Sequence, residues 1–126
     1  MSKKVALLIM FFLLGSVLIF HVFIITEIIP FDKVWAGKLK SVEEMRQFET
    51  FSILLNLVMF TVFVIKYRLL LQEKRNRLID VIIWGFAGLF ALNTLGNLFS
   101  ESIVELILGT LLTLFSAALC VIIAKK

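Results

Sequence analysis

One cysteine, one histidine and one proline are spread over the 126 residues of this chain, and each scarcity closes a class of function. Cys120 alone cannot form an intramolecular disulfide, and with His21 as the only imidazole no zinc centre of the Cys/His type can be assembled. Pro30 stands at the end of the first apolar run, so no span is interrupted by proline in the way the broken helices of many transporters are. The sequence has no nucleotide-binding glycine loop, no His-x-x-x-His pair and no basic stripe interleaved with exposed aromatics. Redox, structural-zinc and nucleic-acid readings fall away, and no cofactor and no bound metal are expected.

What the chain has in excess is apolar side chains, 61% of it, where a soluble domain carries about half. They are gathered into four runs, Val5–Ile29, Phe51–Leu71, Val81–Phe99 and Ile103–Ala124. Each approaches or exceeds the roughly 20 residues needed to cross a bilayer. Barrel strands would show segments of about ten residues alternating polar and apolar, and none occurs. The expectation is an all-α fold, a single transmembrane domain over residues 1–126 with an outer loop at 30–50. Lys3 and Lys4 precede an apolar run of about 25 residues, longer than the 7 to 15 of a secretory signal, so the first span is expected to be retained.

Charge sets the expected orientation. Lys3, Lys4, Lys66, Arg68, Lys74, Arg75, Arg77, Lys125 and Lys126 fall on one side of the spans, and Lys33, Lys38, Lys40 and Arg46 on the other. Because the more basic side stays cytoplasmic, both termini are expected inside, in an up-down four-helix bundle joined by short turns at residues 72–77 and near Ser100. Four-span chains that insert both ways up carry a weaker bias than this.

The long loop holds its own signals. Phe31 and Trp35 suit the headgroup level of a membrane, and Ser41 with Glu44 matches the capping box that opens a helix. No Gly or Pro follows until beyond Gln72, which predicts one helix of about 30 residues whose first two turns stand outside the membrane. The stretch Pro30-Phe31-Asp32, Val34-Trp35-x-Gly37 and Phe48-Glu49 resembles small four-span integral membrane proteins of bacteria whose function is uncharacterised. That resemblance implies a bacterial cytoplasmic membrane and carries no activity or site residue with it.

Polar groups within spans are costly unless partnered, and so they are the best pointer to function here. At 1.5 Å per residue, His21 stands about 26 Å from Lys4, Asn93 about 20 Å and Asn97 about 26 Å from Asp80, and Glu105 about 30 Å from Lys125. The strongly polar intramembrane groups are therefore expected in the outer half, over an inner half that is apolar apart from Ser116 and Cys120. Spacing also aligns them: Glu49, Ser52 and Asn56 share one helix face, Asn93, Asn97 and Glu101 a second, and Glu105, Gly109, Thr113, Ser116 and Cys120 a third. His21, Glu49, Asn56, Asn93 and Asn97 are the candidate ligand-binding residues, with no catalytic residue assigned. The plainer account is that Asn and Thr cement helix pairs, that His21 bonds a neighbour, and that Glu27, Glu101 and Glu105 are solvated helix ends.

Three functions fit. The first is a non-enzymatic interaction partner or scaffold, surrounded by the lipid bilayer and bound to another membrane protein or to further copies of itself. The second is an outward-facing binder or transporter of a small cationic or lipid-like ligand. The third is an intramembrane enzyme acting on lipids, with His21 as general acid/base, since an imidazole titrates near neutrality. The orientation is open to test in a background without Cys120: an impermeant thiol reagent labels Lys38→Cys in intact cells and Asn76→Cys only in opened cells. Labelling of both in intact cells would mean dual topology.

Overall fold

The computed structural model describes residues 1–29, 41–100 and 102–125. They form α1 (Lys3–Ile25), α2 (Val42–Leu71), α3 (Arg77–Leu98) and α4 (Thr110–Ala124), the last entered through a π-helical turn at Glu105–Gly109. No strand occurs among the described residues, and all four helices, α4 counted with its π turn, are long and apolar enough to cross a membrane. The chain is an all-α, multi-pass membrane protein in architecture.

Side chains beside the apolar runs set where the helices start. Ser2 caps α1 by accepting from the Val5 N–H, Ser41 caps α2 by accepting from the Glu44 N–H at 3.1 Å, and Asn76 caps α3 by accepting from Leu78 and Ile79. The ends of α1 and α2 are built alike. Past Thr26 and past Gln72 the next residue, Glu27 or Glu73, turns left-handed with φ of 65° and 54°. Its N–H and the one after it then close on the carbonyls of the last turn: Glu27 to Ile24 and Ile28 to Phe23, Glu73 to Leu70 and Lys74 to Leu69. Glycine usually occupies that position because a side chain is strained there, so both turns are made at a cost.

The boundaries of α1, α2 and α3 are shifted toward the N-terminus relative to the apolar runs. Span 1 ends at Ile25, four residues before the apolar run does, because the left-handed turn at Glu27 stops it. Helix α2 reaches back to Val42, as its cap predicts, so the residues between α1 and α2 are 26–41 and the loop expected over 30–50 is half helix. Helix α3 begins at Arg77 and so takes Asp80 into its first turn. Nothing in the composition announces the π turn. Pro30, Phe31, Trp35 and the rest of the motif up to Lys40, and Glu101, lie outside the described residues.

The four helices run alternately up and down. Helix α3 packs most closely on α4, then α1 on α2, then α4 on α1, and α2 touches α3 more lightly than any of these. The Lys3 ammonium donates to the main-chain oxygen of Lys125, which puts the two chain ends at one end of the bundle, called here the terminal end; the connection between α1 and α2 lies at the other, the loop end. Much of the terminal half is a packed apolar plug that includes Leu7, Met10, Phe63, Ile83, Leu119 and Ile123, all essentially buried. Aromatic rings tie its layers: Phe63 on α2 meets Phe86 on α3 with centroids 5.8 Å apart, and Phe11 on α1 meets Phe60 at 5.1 Å and Tyr67 at 6.1 Å on α2. A smaller contact, Ile24 with Met45, holds α1 to α2 at the loop end. Outward-pointing side chains such as Phe12, Ile19, Leu92 and Leu111 are exposed and apolar, which suits lipid and not water.

The two ends of α2 make opposite predictions. Ser41→Ala should lower stability by about 0.5–2 kcal/mol through loss of the cap. Glu73→Gly should raise it by about 1 kcal/mol by relieving the left-handed strain. Reversible unfolding in detergent, with amide exchange across residues 42–48 for the first variant, reads both.

Candidate functional site

His21 and Ile24 stand three positions apart on α1, and Met45 and Glu49 four apart on α2, so each polar residue shares a helix face with the apolar residue beside it. When Ile24 packs on Met45, the antiparallel helices are set in register one turn further in, where His21 Nδ1 and Glu49 Oε2 stand 2.5 Å apart. Glu49 is 0% exposed, while His21 is half-buried. With the carboxylate ionised, Nδ1–H is the donor, which leaves Nε2 as an acceptor in the neutral ring and a donor in the protonated one. A carboxylate and an imidazole are thereby held together at a position that neither would favour alone in lipid.

This pair forms part of the wall of a cavity of about 710 Å³ to which all four helices contribute. The five candidate residues come together there: His21 from α1, Glu49 and Asn56 from α2, Asn93 and Asn97 from α3. Asn56 is buried, Asn97 half-buried, and Asn93 exposed although it lines the space. Ser52, Thr113 and Ser116 add hydroxyls, and the remaining wall is chiefly Leu, Phe and Val. Leu14 and Met59 form part of the wall and also belong to the apolar plug. Phe51, Leu92 and Leu108 line the cavity and are also exposed on the bundle surface, so the space is not sealed from its surroundings.

Two of the polar groups have structural partners as well. Thr94 of α3 and Thr113 of α4 bring their hydroxyls to 2.8 Å, and the Asn97 amide donates to Thr113 Oγ1 at 3.4 Å. Gly109 makes this approach possible, since a Cβ there would stand 3.0 Å from the Asn97 side chain. Asn97 is thus helix cement as well as cavity wall. Thr94, the buried polar residue of α3, does not appear in the sequence-based set; its β-branched, weakly polar side chain gives no signal that separates it from neighbouring apolar positions.

Glu105 is the acid that the candidate set lacks. It opens the π turn, accepts from Ser100 Oγ at 3.1 Å, and lines the cavity half-buried. Its sequence position suggests a solvated helix end. The stripe that spacing assigns to Glu105, Gly109 and Thr113 does face inward, since all three line the cavity, and π turns of this kind recur at functional sites. Among the described cavity-lining residues the titratable groups are therefore two carboxylates, Glu49 and Glu105, and one imidazole.

The terminal half corrects the expected picture. It is not apolar apart from Ser116 and Cys120: Lys66 of α2, 2% exposed, donates to Asp80 of α3, 4% exposed, at 2.5 Å, and Arg75 Nε donates to the other carboxylate oxygen at 3.1 Å. In the sequence Lys66 counts only toward the basic side of the spans, but the helix carries it inward, where the start of α3 presents Asp80. The sequence did hold a signal, a lysine five residues inside an apolar run with an acid in the first turn of the next helix. Each polar cluster is closed off from the other by the packed apolar layer between them.

Among the described residues no three His, Cys, Asp or Glu side chains are grouped to hold a metal ion. No family model, no curated protein and no solved structure matches the chain.

A buried ion pair fails asymmetrically, which makes the Lys66–Asp80 contact testable. Asp80→Asn removes the charge that balances a buried ammonium and should cost about 3–5 kcal/mol. Replacing both partners by apolar residues, Lys66→Met with Asp80→Leu, should restore most of that loss. Denaturant titration of the detergent-solubilised protein followed by helix content measures the difference, and a double variant as unstable as Asp80→Asn would show that the pair itself holds the bundle together.

Proposed function

We propose that the protein binds a cationic, amphiphilic small molecule in the cavity at its loop end, and that it does so from the outer side of a bacterial cytoplasmic membrane with both termini in the cytoplasm. The observation that carries this reading is the His21–Glu49 pair set in the wall of a cavity built by all four helices. A volume of about 710 Å³ falls within the roughly 300–1,000 Å³ of small-molecule sites, which are characteristically apolar with a few convergent polar groups. The Glu49 and Glu105 carboxylates in its wall suit a cationic head, and the Leu, Phe and Val walls suit an apolar tail. The nine basic residues toward the terminal end support the orientation, and the resemblance of residues 29–52 to bacterial four-span proteins supports the membrane.

This reading stands against the plainest one, an interaction partner or scaffold. Exposed apolar faces are what every span presents to lipid, so they do not favour a protein partner over the bilayer. The enzyme reading needs a reacting group beside the imidazole–carboxylate pair. Binding asks only for the cavity, the charge and the tail space.

Single substitutions that leave one charge buried confuse stability with function, so the test uses Glu49→Gln, which retains an oxygen to accept from His21 while removing the charge. A long-chain quaternary ammonium compound, below its micelle concentration, should raise the melting temperature of the unaltered protein, and the uncharged alcohol of the same chain length should not. Glu49→Gln should abolish the shift with little change in the ligand-free melting temperature. Equal stabilisation of the variant would overturn the cation-binding reading.

A further inference from the structure

At the terminal end, among the described residues, basic side chains outnumber acidic ones. Asp80 accepts from both Lys66 and Arg75, and Lys3, in the first turn of α1, lies within electrostatic reach of Asp80, Lys66, Arg75 and Lys125. The Lys3 ammonium donates to a neutral acceptor, the Lys125 main-chain oxygen. Among the described residues, Lys66 and Arg75 thus bond the Asp80 carboxylate, Lys3 stands within reach of it and Lys125 lies near Lys3, while the other acid of this end, Glu73, is held out in an exposed left-handed turn. Helices α1 and α3 both begin here, adding the positive ends of their dipoles, and the first turn of α1 carries no acid.

Topology alone does not call for this arrangement. Exposed cations such as Lys4, Arg68 and Lys74 already give the terminal end its positive excess, and a lysine 2% exposed adds to that only at the cost of its desolvation. An excess of cations beside an apolar belt is what an anionic headgroup would balance. The belt is present: Val5, Leu8 and Phe12 are exposed on α1, and Val121 on α4 is also exposed. We propose that Lys3, Arg75 and Lys125, positioned by the buried Lys66–Asp80 pair, form a binding site for the phosphate of an anionic phospholipid whose acyl chains lie along α1 and α4. Arg75 suits the role because its Nε fixes it to Asp80 while the half-exposed guanidinium keeps further donors free to approach an oxyanion.

The experiment compares phosphatidylglycerol with phosphatidylcholine of the same acyl chains, added at equal mole fraction to the full chain in mild detergent. Phosphatidylglycerol should raise the melting temperature by several degrees and be retained on the protein in native mass spectrometry, and phosphatidylcholine should do neither. The double variant Lys3→Gln/Arg75→Gln should lose both effects, whereas Lys4→Gln/Lys74→Gln, which removes the same charge from exposed positions at that end, should keep them. The shift on lipid addition is compared within each variant, so a lower starting stability does not mimic the result. Equal effects of the two lipids, or equal losses in the two double variants, would overturn the proposal in favour of diffuse surface charge. Inorganic phosphate that reproduces the full shift would show a site for the free anion and would overturn the lipid assignment.

Discussion

A polar atom inside a bilayer has no water to turn to, and this constraint explains most of what is specific about the bundle. Apolar side chains gain little by leaving lipid for each other, so the plug of Leu, Ile, Met and Phe holds by close packing. The polar groups are what must find their partners: Glu49 finds His21, Lys66 finds Asp80, and Thr113 meets Thr94 and Asn97. Each of these contacts joins two different helices. Together they fix which face of each helix turns inward, because any other rotation would present a charge to hydrocarbon.

The two charged contacts are alike in distance and unlike in setting. Lys66 and Asp80 are both buried, close to the 72–76 turn that joins their helices, and Arg75 from that turn completes the carboxylate. Such a contact seals an end. Glu49 is also fully buried, but its partner His21 is only partly so and both face a cavity with apolar walls. Such a contact leaves one ring nitrogen for something else. The α3–α4 side of the cavity is stiffened by the Thr94–Thr113–Asn97 contacts and by the close approach that Gly109 allows, and its π turn brings Glu105 into the wall.

Much of the fold was legible from local chemistry. Four apolar runs gave the four helices, and the Ser41 cap gave a helix start nine residues ahead of the apolar run Phe51–Leu71. Spacing placed Glu49, Ser52 and Asn56 on one face, and all three line the cavity. The reading was weaker wherever a residue's role depends on a different helix. Lys66 read only as one more cation on its side of the spans, because the sequence shows its neighbours along the chain and not Asp80 across the bundle, and for Glu105 spacing alone left the inner stripe and a solvated helix end both open.

What the sequence by itself determined is the class: an all-α chain of four spans, the polar face of each span, and the caps that begin the helices, all of which follow from the 3.6-residue period and from side chains bonding their own backbone. Only the tertiary structure decided that these faces meet around one cavity, that the imidazole falls on Glu49, and that a second ion pair lies buried at the opposite end. The physical reason is range. Periodicity and capping act within a turn or two of helix, whereas the pairing of His21 with Glu49 spans 28 residues and depends on Ile24 packing against Met45, a contact set by shape and by the register of two helices.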